Sequence, residues 1–413
     1  MDSARRRRTF LAGLVGAGTA VTGCIGGGNS NGNGGGDDGE EPPEPTPDDE
    51  REPVSGSWAT FAHDEANTGH SPGIDGPATE IRRAWRFETG GPVTASPAIA
   101  GNTLYVGSTD GSVYALDPYV GAEIWSFETG APVSSTPAVR DGTVYVGSGD
   151  DHLYALDASD GTERWRFDTA GRVGSSPTVG ETLVYVGSVS SAAYAVDRET
   201  GERAWRLQAG ASVLGAPALS ADGETVYVGS SDQRVYALEA TEGTERWSFR
   251  TDGAVAGAPV TAGRTVYAGS RDDNVYALEA DSGETRWAYD VEGQIQGSPA
   301  VTDAGIYAGS SDGGLWAIDP GDGSPTGRWR FSTGGPVTAS PAATASHVFA
   351  ASTSGNVFAM LPGDGGTVWR IDAGSEIQAG PAVAEEWLYF GATDGSVYAL
   401  RSGSGSGSGS ESE

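Results

Sequence analysis

Tryptophan recurs in this chain with a fixed stride. Trp85, Trp125, Trp165, Trp205, Trp247, Trp287, Trp329 and Trp369 are separated by 40 or 42 residues. Both longer intervals have visible causes, since "SADGETVY" adds residues before Tyr227 and "GDGSPTGRW" adds them before Trp329. A period this regular dictates a repeat architecture, in which one unit buries its apolar faces only against its neighbours. Within a unit the pattern is that of strands. "NTLYVGS" and "SVYALD" alternate aromatic or β-branched residues with small ones, "AEIWSFET" alternates again, and "GPVTASPAIA" is a small apolar run. Turns such as Asp110-Gly111, Asp312-Gly313 and Asp394-Gly395 connect them.

Four strands per unit in eight units predict an all-β fold, an eight-bladed β-propeller of four-stranded antiparallel blades over residues 81–401. The order of the ends predicts how it closes. "IRRAWRFET", from Ile81, arrives before any complete unit, and no tryptophan strand follows Tyr398-Ala399-Leu400. The N-terminal strand is therefore expected to complete the last blade, hiding two edges that would invite aggregation. The commonest phrase, "YALDASDGTERW" at 154–165, reads as a building unit. Asp157 accepts hydrogen bonds in a turn, Gly161 takes positive φ, and Trp165 lays a flat ring on the next sheet, its N–H needing a partner. Pro97, Pro137 and their counterparts in each unit place the first strand on the channel side, where a missing N–H is tolerated.

Charge narrows the partners. The chain has 56 acidic and 25 basic residues, all of the latter arginine, for a formal charge of −31. Nucleic acid is excluded as a partner, because phosphates would be repelled. A lysine-free, acidic surface is expected of a halophilic protein, in which strong screening makes self-repulsion tolerable. The single cysteine, Cys24, excludes an intramolecular disulfide, and four scattered histidines exclude a Cys/His zinc cluster.

The beginning of the sequence reads as an address followed by a tether. Arg7-Arg8-Thr9-Phe10-Leu11 resembles a twin-arginine export motif, and Arg7, Arg8, Phe10 and Leu11 carry that resemblance. The apolar run to Val21 is too short to span a bilayer. Val21-Thr22-Gly23-Cys24 resembles a lipobox, which implies cleavage before Cys24 and a lipid on its sulfur. Residues 1–23 are thus expected to be a lipoprotein signal and 24–56 a disordered acidic tether rich in glycine and proline. Residues 57–80 should form a cap, and 402–413 a Gly/Ser tail. The implied location is the outer face of the cytoplasmic membrane, with a monomeric propeller.

"YALDxxxGxxxW" is similar to the tryptophan-docking repeats of the pyrroloquinoline quinone (PQQ) dehydrogenase superfamily of eight-bladed propellers. Within it the chain most resembles the non-enzymatic BamB-type lipoproteins. The stretch "SWATFAHDEANTGHSP" resembles the lead-in segment before such repeats. One unit departs from the pattern: Leu361 replaces the acid, Phe358 the tyrosine, and "VFAAS" replaces "YVGS".

The resemblance leaves three functions to weigh. A PQQ-dependent alcohol or sugar dehydrogenase would need a calcium ion and a catalytic aspartate at the axis. Three residues before each proline the row reads Thr94, Ser134, Gly174, Leu214, Ala256, Gln296, Thr338 and Gln378, without a charge. Two places earlier, Arg172 and Glu376 are the ionic residues. One glutamate falls short of the several oxygens a hard cation needs. Asp150-Asp151 and Asp272-Asp273 likewise read as turns rather than calcium loops, and His63, Asp64, Asn67 and His70 as part of the cap. No catalytic residue, metal ligand or cofactor is therefore assigned. A protein-binding scaffold is the leading reading, and a sugar- or polyol-binding channel contacted by Gln294, Gln296 and Gln378 is the other non-enzymatic one. For the anchor, Cys24→Ser should move the protein from the membrane to the soluble fraction on ultracentrifugation. Equal membrane retention of variant and parent would refute the lipid.

Overall fold

The computed structural model describes residues 57–322 and 329–403. Arg7, Arg8, Phe10, Leu11, Cys24 and the acidic stretch to residue 56 lie outside the described residues, as does the tail beyond 403.

Eight antiparallel blades of four strands make up the fold. The first blade shows the plan: Ala98–Ala100 innermost, then Thr103–Gly107 and Ser112–Leu116, with Glu123–Glu128 outermost. The two central strands are packed on both faces. Val144, Val146, Leu153 and Leu156 have no exposed surface, which explains why these strands combine apolar alternation with small residues. Outer strands alternate exposed and half-buried positions, as in Glu163–Asp168. The innermost strand is shorter than the apolar run suggested. Most of "GPVTASPAIA" is irregular chain outside the blade's ladder, and strand pairing begins only after the proline.

Closure occurs as the chain ends implied. Ile81–Glu88 pairs antiparallel with Ser396–Ser402, with Trp85 opposite Ala399 and Phe87 opposite Val397. The last strand runs to Ser402, one residue beyond the expected boundary.

Blades are joined chiefly by the tryptophans. The Trp125 N–H donates to the Ala158 carbonyl of the next blade at 3.0 Å, and Trp165 to Arg198 at 3.0 Å. Trp85, Trp205, Trp247, Trp287 and Trp329 repeat the bond to Pro118, Ala240, Ala280, Pro320 and Pro362. Among the described residues, Trp85, Trp125, Trp165, Trp205, Trp247 and Trp329 each lie on the glycine of the next unit's phrase. A Cβ built on Gly161, whose φ is +73°, would come within 2.6 Å of Trp125 Cε3. Gly161 therefore serves two needs at once, a left-handed turn and a flat seat for the ring. A β-bulge skips the residue before each of seven tryptophans, such as Arg164 between Glu163 and Trp165, and re-aims the indole toward its neighbour.

Trp369 is the exception that closes the circle. The eighth blade takes its outermost strand from Ile81–Glu88 and so has no acid–glycine turn to receive the ring; the Trp369 N–H donates instead to the Pro77 carbonyl of the lead-in segment at 2.8 Å. The divergent seventh blade keeps its turn without the acid: Leu361, now 44% exposed, is held by Gly365 N–H donating to its carbonyl.

Two glycines separate the seat from the turn. Gly142 has φ +71° with no atom near its virtual Cβ, whereas Gly161 has the same backbone and the Trp125 ring against it. Gly142→Ala should cost about 1 kcal/mol, the backbone price alone. Gly161→Ala should cost at least about 1 kcal/mol more, the overpacking term, as read by urea denaturation. Equal losses would show that the indole seat contributes nothing.

Candidate functional site

The innermost chain segments converge on a central channel. A cavity of about 170 Å³ is lined by rows of small and polar residues, among them Ser96, Thr136, Ser176 and Ser298, with Gln296, Thr338 and Gln378 at one level. Crowding near the axis selects these residues, because a larger side chain would meet the neighbouring segment. A Cβ on Gly215 would lie 2.4 Å from the Gly257 carbonyl oxygen. Hydroxyls then tie adjacent segments together: the Thr136 N–H donates to Ser176 Oγ at 2.9 Å, and the Ser298 N–H to Ser340 Oγ at 2.9 Å.

The lead-in segment covers one mouth. Its carbonyls at Trp58, Ala59, Glu65, Ala66, Thr68 and Gly69 accept hydrogen bonds of 2.7–2.9 Å. The donors are the N–H groups of Ile99, Val139, Leu219, Thr261, Val301 and Ala343. Every donor stands two residues after a repeat proline. The proline thus has no N–H to satisfy, while the same edge two residues on uses its N–H to hold the cap. Phe61 reaches into the channel lining. Asn67, fully buried at φ +59°, donates through Nδ2 to the carbonyls of Pro217 and Pro259 at 2.9 and 3.1 Å.

Sequence-derived candidates separate cleanly at this point. Gln296 and Gln378 line the channel, whereas Gln294 is exposed and does not. Arg172 and Glu376 are also exposed, and Glu376 accepts from Gln378 Nε2 at 3.0 Å. His63, Asp64, Asn67 and His70 all belong to the cap. Asp64 accepts from the Thr68 N–H and hydroxyl, His63 lies edge-on to Trp58, and His70 pairs with Ala343.

Asp150 and Asp272 do more than solvate turns, a role that sequence reasoning missed. Asp150 accepts from the Gly130 N–H at 2.7 Å, and from the Tyr154 hydroxyl at 2.7 Å. Asp272 likewise takes the Asp252 and Gly253 N–H groups and the Tyr276 hydroxyl. These bonds fasten the loop leaving one blade to the turn of the next. Burial alone would raise the Asp150 carboxyl, but the bonds from Tyr154, Gly130 and His152 hold it below its ordinary value. Burial, and then the neighbouring carboxylate, push Tyr154 up to about 12. Asp151 and Asp273 occupy the positive-φ positions of the same turns. The signal was present in the sequence as an Asp-to-Tyr spacing of four. It is absent where Ser190 and Ser354 replace the acid, and in the second case Phe358 replaces the tyrosine.

A family model described as "Beta-alanine-activating enzyme, beta-propeller" matches residues 173–411, more than half of the chain. The chain belongs to this family. A second model, "Outer membrane protein assembly factor BamB", matches residues 79–171 ahead of the β-alanine-activating-enzyme propeller match. No curated protein sequence matches this member of the family. Among solved structures it is similar to BamB from Moraxella catarrhalis, with a TM-score of 0.66, 20% identity, and coverage of 78% of this chain and 97% of that one. It is also similar to quinohemoprotein alcohol dehydrogenase from Comamonas testosteroni, with a TM-score of 0.73, 17% identity, and coverage of 84% and 80%. At such identities the likeness is one of fold.

That second neighbour raises the question of whether this propeller's channel suits a quinone. PQQ is a rigid tricarboxylate, and with calcium it needs guanidinium and carboxylate groups around it. The channel lining contains no Asp, Glu, Arg or His. Its volume of about 170 Å³ is below the range of roughly 300–1,000 Å³ usual for ligand pockets. Among the described residues, no group of three or more His, Cys, Asp or Glu side chains could hold a metal ion. The donor set does not fit the quinone–calcium pair.

Asn67 offers the direct test of the cap. Asn67→Ala would strand two carbonyls of neighbouring blades, so stability should fall by about 1–3 kcal/mol. Amide exchange at Leu219 and Thr261 should accelerate while exchange at Ile99 stays as it was. Unchanged exchange at all three would show that Asn67 does not hold the cap.

Proposed function

We propose that this propeller is a non-enzymatic binding scaffold, exported and held at the outer face of the cytoplasmic membrane by a lipid on Cys24, and working at high salt. The observation that carries the reading is the state of the axis. Where a propeller enzyme needs reactive groups, this chain places Phe61 and a ring of serine, threonine, glycine and alanine, and covers one mouth with its own backbone. What remains for function is the outer surface, a rigid framework of loops and turns of the kind repeat scaffolds present to partners. The BamB family match over the first blades supports a protein partner. The charge of −31 supports high salt and argues for partners that are not polyanions.

A second reading rests on one hydroxyl. Thr338 Oγ1 is buried without a hydrogen-bond partner and lines the channel with Gln296 and Gln378. A small polyol in the channel would meet the Gln296 and Gln378 amides, and a rotation of the Thr338 side chain would bring its hydroxyl to the ligand.

Calorimetry of the purified full chain with PQQ and calcium, followed by a dye-linked alcohol and sugar oxidation assay, is expected to give neither binding nor turnover. Stoichiometric micromolar binding with calcium-dependent turnover would overturn the scaffold reading. Glycerol and glucose titrated in the same cell decide the second reading. Cross-linking in native membranes at high salt should recover discrete protein partners.

A further inference from the structure

In a repeat protein, residues that break the repeat without serving the blade carry the most information. Two arginines do so together. In the first seven units the residue after the acid position is proline or alanine, except in the third, where it is Arg198. The residue three after the repeat proline is small everywhere except at Arg140. The fold brings both to the junction of the second and third blades, on the face covered by the lead-in. There they meet Arg164, which belongs to a recurring pair: Arg164 binds Asp157 at 2.8 Å as Arg246 binds Glu239 at 2.7 Å.

These three guanidinium groups line a cavity of about 190 Å³ with the Tyr145 and Thr143 hydroxyls. Arg140 is shared with a second cavity of about 350 Å³, lined by Ala138, Val139 and Val179 and by Thr60, His63, Asp64 and Glu65 of the lead-in. This second cavity exists because the lead-in departs from its pattern. It bonds to the inner edge of the second blade at Ala59 and next to the fourth at Glu65, passing over the third. Arg140 spans the gap, donating to the Val179 carbonyl at 2.9 Å and pairing with Glu65.

The charges here are unevenly buried. The Arg198 side chain is only 15% exposed, whereas its partners Asp141 and Glu199 are 71% and 84% exposed. Exposed carboxylates contribute little to holding a pair together and exchange readily for another anion. A buried guanidinium favours a planar, bidentate acceptor brought in from solution. Four carboxylates, Glu65, Asp141, Asp157 and Glu199, already pair with the three arginines, so an incoming anion binds by replacing one of them.

We infer that the junction of the second and third blades is a binding site for a carboxylate with a short aliphatic body. The carboxylate takes Arg198, Arg164 and Tyr145, displacing the Asp141 side chain, and the aliphatic part lies beside Arg140 on Val139 and Val179. The site is separate from the axial channel and does not depend on export or anchoring. The carboxylate comes from either of two sources, a free short-chain acid or the C-terminus of a peptide.

Calorimetry on the full chain, at the lowest potassium chloride concentration that keeps it folded, tests this with three probes. Butyrate and acetyl-Ala-Val with a free C-terminus should both bind, and acetyl-Ala-Val amide should bind at least about tenfold more weakly. A peptide acid that binds about tenfold tighter than butyrate identifies a chain terminus; equal affinity identifies a free acid. Arg140→Gln and Arg198→Gln should each weaken binding about tenfold, Asp141→Asn should strengthen it, and Arg246→Gln should leave it as in the parent. If the arginine variants unfold, phenylglyoxal labelling of the parent replaces them, with butyrate expected to shield Arg140 and Arg198 but not Arg246. Binding of neither acid, equal binding of the amide, or no shielding would overturn the site.

Discussion

An indole ring seated on a glycine holds this protein together. Each sheet buries its two faces only against neighbouring sheets, so stability depends on how well adjacent blades are registered. The Trp125 ring over Gly161, with its N–H on the Ala158 carbonyl, sets both the spacing and the register of one junction. The same contact recurs around the ring. A large flat apolar surface with one directed donor suits this task, since dispersion supplies the attraction and the hydrogen bond fixes the angle. The Asp–Tyr–backbone bonds at the turns repeat the fastening wherever the Asp-to-Tyr pair is present, as at Asp110, Asp150, Asp232 and Asp272, so those junctions are pinned twice.

Much of this was legible because the repeat is written in residue types that have few alternatives. Only glycine suits the positive φ beneath an indole, only proline marks the edge that lacks a donor, and the lone strand before the first unit has one place to pair. Other features were illegible for equally physical reasons. The bulge before each tryptophan is a backbone event at a residue that varies freely: Ala84, Ile124, Arg164, Ala204. The path of the lead-in is set by main-chain carbonyls, which carry no sequence signature. For Asp150 and Asp272 only half of the role was written in the sequence: the tyrosine four residues on is visible there, whereas the Gly130 and Gly253 N–H groups that tie them to the preceding blade are main-chain.

The candidate sites divide along the same line. Of the residues expected near the axis, Gln296 and Gln378 line the channel, whereas Gln294, Arg172 and Glu376 lie outside it, because, of the two rows read, only the one three before each proline reaches the lining. The arginine cluster was not read, because its members lie 24 to 58 residues apart and belong to different positions of the unit. It becomes visible only when the repeat is used as a reference and each blade is compared with its neighbours in space.

The pairing of Ile81–Glu88 with Ser396–Ser402 has a consequence for biosynthesis. Of the strands that build the blades, the earliest in the sequence is the last to find its place. At about 5–20 residues per second, the roughly 300 residues between the two strands take tens of seconds to appear. Throughout that interval the early strand is an unpaired ribbon carrying Trp85 and Phe87. Arg82, Arg83 and Arg86 stud the same ribbon, and like charges of this density keep nascent copies apart. The arginines of the closing strand thus guard the chain during the period when it has no ring to join.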